Sequence, residues 1–332
     1  MKRIAALAVA VLLLSGCSIP VLKYPYLPPE SLATQTIALR LVLPEDADEL
    51  LQNAMTTLEA KALELSGGKI QLSSVTPKDM SASYQDGKAG LYLLNSKQVA
   101  ALDAQLAFAG MPFLFGDPDK LLAILNDQEG FVSTSPVVRS RLQGTVLGVY
   151  YRAPTLLLNA NKHYEELGLY GGAGVLDQLG ASAGFTGLGV ESQQEGSQEE
   201  LLAAFADGTV KLCEILPNTV IPPKALAEVK SIELTNHRFD CWWLILRGSD
   251  TMDGQTVNIL REAFAYTRQQ YDDGRAVQCA EEMERFWQQY SELIQERNGF
   301  AVGRKQARAY YLDNWAAMGI PEEIWYKLSE LL

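Results

Sequence analysis

An α/β fold that ends in a helical region is the class this sequence predicts, and three observations predict it. A strand-helix-strand unit opens the folded part, the same alternation returns at Ser197, and from Asp250 onward the pattern is almost entirely helical. The chain has 332 residues, enough for two domains of ordinary size and a large buried core. No repeat at a period of roughly 20–50 residues is present, which argues against a solenoid.

The elements follow in order. In "QTIALRLVLP" the bulky residues Ile37, Leu39, Leu41 and Leu43 alternate, the period of a strand. The next helix is expected to be capped by Asp46 with Glu49 three residues on. Leu50, Leu51, Ala54, Met55, Leu58, Ala62 and Leu65 then recur at helical spacing. Gly67 and Gly68 stop it, and "KIQLSSV" and "AGLYLLN" read as the second and third strands. Asp117 caps a further helix whose first turn accepts Pro118, because the missing N–H has no helical partner there. "GTVLGVYYRA", "PTLLLNA", "TVKLCEIL" and "DCWWLIL" are strand-like, whereas "SQEELLAAFADG" and "PPKALAEV" are helical, as is the long run from Ala276 to Arg297.

The N-terminus stands apart from the fold. Lys2 and Arg3 precede an apolar run, Ile4–Leu14, which is short for a membrane helix and typical of a signal segment. The segment closes on "LSGC", which resembles the bacterial lipobox and implies that Cys17 is lipidated and becomes the first residue of the mature chain. Residues 18–35 read as a Pro-rich tether. The formal charge is −12, so phosphate backbones are repelled and nucleic acid is not an expected partner. Cys213, Cys241 and Cys279 are too widely spaced for a zinc pair; buried free thiols are favoured over a Cys213–Cys241 disulfide. His163 and His237 have no nucleophile or metal-ligand partner at useful spacing, so no catalysis, cofactor or metal is expected.

Four stretches in a shared order resemble the substrate-binding proteins of tripartite ATP-independent periplasmic (TRAP) transporters. They are "SGGKIQLSSVTP", "YQDGKAGLYLLN", "MPFLFGDPDKLLAIL" and "ELLAAFADGTVKLCEI", the last followed by "VKSIELTNH". The resemblance implies a two-lobed periplasmic-binding-protein-like fold with hinge strands and a long hinge-crossing helix. Lobe 1 takes residues 36–148 and 239–270, lobe 2 takes 149–238, and 271–332 form a helical region packing across the lobes. It implies capture of a small solute between the lobes and delivery to TRAP membrane permease subunits. With the lipid anchor it implies an extracytoplasmic protein on the cell membrane or, in a two-membrane bacterium, on the outer membrane, which Ser18 permits.

The glycine-rich stretch "GLYGGAG" at 168–174 lacks the Lys and the preceding strand of a phosphate loop. Counted from Arg152, the family's carboxylate-gripping Arg falls on Gly172, a second ligand Arg falls near Leu158, and its Asn falls near Ile215. These polar positions are apolar or empty here. The expected solute is therefore neutral or weakly polar, or a carboxylate held by Arg152. Asn95, Phe113, Tyr170 and Glu214 complete the candidate ligand site, with Trp242 and Trp243, whose side chains must point to opposite faces of their strand.

Overall fold

The computed structural model describes residues 36–160, 173–175, 185, 192–194, 197–295 and 300–329. Cys17, the tether, Tyr170, Gly172 and His163 lie outside these residues.

The strands are β1 (Ile37–Val42), β2 (Ile70–Val75), β3 (Gly90–Asn95), β4 (Gly144–Pro154), β5 (Leu156–Asn159), β6 (Ala173–Val175), β7 (Ser192–Gln194), β8 (Leu212–Ile215), β9 (Ser231–Glu233), β10 (Phe239–Arg247) and β11 (Ile294–Gln295). They form two sheets, in the orders β2-β1-β3-β10-β4 and β11-β9-β5-β8-β6-β7. In the first, β1 runs parallel to β2 and β3, while β10 lies antiparallel between β3 and β4. Among the described residues, two connections pass between the sheets in mid-chain, at Thr155 and at residues 234–238. These two crossings bond to each other, Thr155 N donating to the Arg238 carbonyl at 2.9 Å.

Alternation along the strands of the first sheet sends side chains into two cores. Leu39, Leu41, Leu91, Leu93, Leu244 and Leu246 face the helix Glu49–Leu65. Tyr92, Leu94, Val149, Trp243 and Ile245 face the other way, toward the C-terminal helices Phe300–Asn314 and Glu322–Ser329 through Tyr311, Ile324 and Trp325. The helix Glu49–Leu65 is capped by Asp48, whose carboxylate accepts from Leu51 N at 2.9 Å, and not by Asp46. Of the acids in "EDADE", Asp48 immediately precedes the first helical residue, and Asp46 is drawn into an ion pair instead. The Asp117 cap and Pro118 stand as the sequence predicts.

The long helix begins well before Ala276 and spans Gly254–Tyr290 as one unbroken element. Ile259, Leu260, Ala263, Phe264 and Tyr271 pack into the core of the first sheet, whereas Phe286 and Tyr290 pack into the core of the second. One helix is thus built into both lobes. Its approach to the first sheet is close at Gly148, where a Cβ would lie 2.0 Å from Phe264.

Candidate functional site

The strand directions place the site. The carboxyl ends of β1 and β3 share an edge of the first sheet with the start of β10 and the end of β4. The carboxyl ends of β8 and β9 share an edge of the second sheet with the start of β5. Both edges therefore meet at the crossover. Carboxyl edges are where open α/β sheets hold ligands, because the loops leaving the strands diverge there.

Two charged clusters occupy the crossover. The first is centred on Glu214, one of two acids that flank Leu157 across the second sheet, the other being Glu233. Arg238 grips the Glu214 carboxylate with two prongs, Nη2–Oε2 at 2.9 Å and Nε–Oε1 at 3.3 Å. His237 Nε2 donates to Glu214 Oε1 at 2.9 Å, and its Nδ1 accepts from the Thr235 hydroxyl at 2.6 Å. Glu214 and His237 are fully buried, and Arg238 is 3% exposed. Burial lowers the His237 pKa below its ordinary value against the opposing pull of Glu214. The ring is therefore neutral, and its contact with Glu214 is a hydrogen bond rather than an ion pair.

Phe113 and Phe185 close over the imidazole, their ring centres 5.5 and 6.0 Å from it. Phe113 has φ of 64°, a left-handed conformation uncommon for a bulky residue. It is held there by neighbours: its N–H donates to the His237 carbonyl, and its carbonyl accepts from Arg308 Nε at 3.3 Å. Tyr311 Oη donates to the Pro112 carbonyl at 2.6 Å.

The second cluster is centred on Arg152. Its guanidinium bonds Asp240 at 3.2 Å and Asp46 at 3.0 Å, and lies 4.7 Å from the centre of the Trp242 ring. The Arg152 carbonyl accepts from Arg275 Nε on the long helix. Arg275 in turn bonds Glu282 at 2.9 Å and Asp48 at 3.2 Å. This cluster joins the loop after β1, both crossover strands and the long helix.

The other candidates divide between the crossover and the cores. Asn95 pairs with Trp242 in register, and its side chain caps the helix Ser96–Leu102 in a capping box with Gln98. Trp243 is wholly buried and donates to Ser96 Oγ at 3.1 Å, whereas Trp242 packs in the opposite core under Arg152. The adjacent tryptophans do point to opposite faces. Leu158 and Ile215 pack into the apolar core of the second lobe, together with Leu156 and Phe205. Cys213 and Cys241 sit in different sheets, and burial pushes both thiols up in pKa. Cys279 is a half-buried free thiol. Among the described residues no group of His, Cys, Asp or Glu is arranged to hold a metal, and no helix is long and apolar enough to cross a membrane.

Sequence reasoning missed Arg238. A charge wedged between His237 and the apolar run "FDCWWLIL" was the available signal, since a cation entering a buried strand needs a carboxylate partner.

Two sheet-centred lobes, joined by paired strands and one shared helix, define the two-lobed periplasmic-binding-protein type of fold. Among solved structures the chain is similar to a TRAP periplasmic solute-binding protein from Ochrobactrum anthropi whose C-terminus is bound in its ligand-binding pocket. That match has a TM-score of 0.71 and 16% identity, covering 90% of this chain and 95% of that one. The sugar-acid-binding protein DctPAm from Advenella mimigardefordensis, in complex with galactonate, matches at TM-score 0.65 and 17% identity, over 89% and 97% of the two chains. A TRAP solute-binding protein from Sulfurospirillum deleyianum with bound succinate matches at 0.63 and 13%, over 90% and 100%. These likenesses establish the fold. No protein-family model matches the chain, and no curated protein matches it.

Proposed function

We propose that this chain is a lipid-anchored, extracytoplasmic solute-binding protein of a TRAP-type transporter, which captures a small molecule between its lobes and delivers it to a membrane permease. The observation that carries this reading is the meeting of both carboxyl edges at a crossover spanned by a single helix. A solute touching both edges stabilises the closed arrangement, so binding energy becomes lobe closure. The chain acts by binding rather than catalysis. Lobe 1 is formed by residues 36–148 and 239–270, and lobe 2 by 149–238. Lipidation at Cys17 supplies the anchor, and Cys17→Ser is expected to release the protein into the soluble fraction.

The solute class follows from the arginines. Arg152 already holds Asp46 and Asp240, and Arg238 already holds Glu214. An incoming carboxylate would have to displace one of the protein's own, losing charge-assisted bonds of roughly 1.5–3 kcal/mol each at Asp240 or Glu214 and less at the exposed Asp46. The reading is therefore a neutral or weakly polar solute, with a carboxylate on Arg152 as the costlier option. Calorimetric titration compares small dicarboxylates with larger neutral and aromatic compounds. Tight dicarboxylate binding that survives Arg152→Ala would place the site elsewhere.

The same internal pairing favours a second reading, a surface lipoprotein that keeps the fold but has exchanged solute capture for a protein partner. A thermal-shift screen separates the two, since any ligand of the folded state raises Tm. No shift with any solute, together with a stably co-purifying protein, selects the second.

A further inference from the structure

The opposite edge of the first sheet carries a cavity that plays no part in the crossover. It has a volume of about 400 Å³ and is lined by Gly87, Arg139, Gln143, Arg247, Gly248 and Asp250, among others. The starts of β3 and β4 and the end of β10 fix its position, since Gly90, Arg247 and Gly144 stand in one row across the sheet. Gly87 and Gly248 both have positive φ, at 78° and 76°, and bring bare backbone to the opening.

Its charge is unlike the rest of the molecule. Arg247 is 8% exposed, lies 4.7 Å from the centre of the Tyr84 ring, and bonds the neutral amide of Gln143. Among the described residues it has no carboxylate partner. Arg139, on the helix Pro136–Leu142, has none among them either, and its Nε is buried with no hydrogen-bond partner there. Asp250 is an exposed acid at the rim. Beside the cavity Arg40 and Lys88 share Asp86. In a chain of net charge −12, this edge gathers four cations around two carboxylates, whereas the arginines of the crossover are each matched by an acid.

We propose that this cavity binds a phosphoryl group. Two guanidiniums without acid partners present more donors than one carboxylate can fill, and a phosphate ester offers both the charge and the additional oxygens. The volume exceeds a bare anion and leaves room for a short polar substituent, whose hydroxyl or ammonium would meet Asp250. That chemistry has two sources, a soluble phosphate ester or a phospholipid headgroup. The chain enters β1 at Ile37 on this same edge, so an N-terminus held at a bilayer brings the cavity toward headgroups.

The test uses the mature chain from residue 17 carrying Cys17→Ser, so that neither an acyl anchor nor the apolar run Ile4–Leu14 contributes, with and without Arg139→Gln. Glycerol 3-phosphate and inorganic phosphate are titrated calorimetrically at low salt. Co-sedimentation is measured with vesicles of phosphatidylglycerol and phosphatidylethanolamine. Arg139 is half-buried and unpaired, so its variant is expected to keep the parent Tm. Soluble binding that weakens at least tenfold in the variant supports the proposal with a free phosphate ester as ligand. Vesicle binding alone, reduced at least threefold in the variant, supports it with a headgroup as ligand. Failure to bind either, or binding unchanged by Arg139→Gln, overturns it. Neither result bears on solute capture at the crossover, which is read by a separate titration.

Discussion

Arg238 and Arg152 are both held by the protein's own carboxylates, and they stand on adjoining parts of the crossover. Around Arg238 the partners are sealed from solvent, with Glu214 and His237 fully buried. Around Arg152 the partners grade outward, with Asp240 13% exposed and Asp46 62% exposed. The bonding is alike but the surroundings are not. In the first cluster each charge has forfeited its water, so removing one member takes from another a charge-assisted bond that water cannot replace. At the outer rim of the second, water reaches Asp46 and compensates its removal. The Glu214 cluster therefore behaves as a fixed joint, whereas at Arg152 only the outer partner, Asp46, is weakly held.

Glu214→Ala tests the strongest side of this contrast. It leaves Arg238 buried without its two-pronged carboxylate, and a loss of about 3–5 kcal/mol is expected in urea unfolding. A loss below about 1 kcal/mol would show that the cluster is not sealed. Next is Arg275→Met on the long helix, where Glu282 at 4% exposure loses its guanidinium while keeping Gln278. About 2–4 kcal/mol is expected, with partial recovery on adding Glu282→Gln, because the two residues are coupled.

Acid provides a gentler probe. The folded-state pKa of His237 is lowered, so above its ordinary value of 6.5 the ring is neutral in both states and contributes no pH dependence. Below 6.5 the unfolded chain takes up a proton that the folded protein refuses. Stability then falls, by at most about 1.4 kcal/mol per pH unit, until the folded pKa is reached. Asp272 acts in the opposite sense: burial raises its folded pKa to about 6 from 3.8, so the folded state takes the proton first and stability rises as pH falls through that range. The measurement is therefore the difference between the parent and His237→Gln from pH 7.5 to 5, in which the Asp272 contribution cancels. A difference that stays constant across that interval would mean that the ring titrates as it does in the unfolded chain. The smallest effect is expected for Asp46→Asn, about 0–1 kcal/mol and fading with added salt. A larger, salt-insensitive loss would erase the contrast between the clusters.

Much of the fold was legible because its signals are local. Alternation in "IALRLV" and the Asp117–Pro118 helix start are read within a few residues, and both match the structure. The Asp46 cap failed because two aspartates two positions apart offer the same local chemistry, and a distant arginine decides between them. The crossover was legible only through family resemblance. Nothing near Trp242 announces that β10 inserts between β3 and β4, and that insertion brings Asn95 and Arg152 beside it. Arg238 was illegible for the same reason, since its partner Glu214 belongs to another strand. His237, which offered no nucleophile or metal-ligand partner nearby in sequence, is a buried residue hydrogen-bonded to Glu214 and Thr235.

The insertion of β10 also governs the order in which the molecule can be assembled. Strands β1 to β4 emerge first from the ribosome, yet the middle of their sheet stays vacant until Phe239–Arg247 arrives, after every residue of β5, β8 and β9. The early chain can form its parallel pairs but cannot seal its core, and such long-separated pairings slow folding. A polypeptide whose first sheet closes only after β5, β8 and β9 have been made postpones the sealing of that core. Until then β3 and β4 keep unpaired edges, where a holding chaperone has the most to protect.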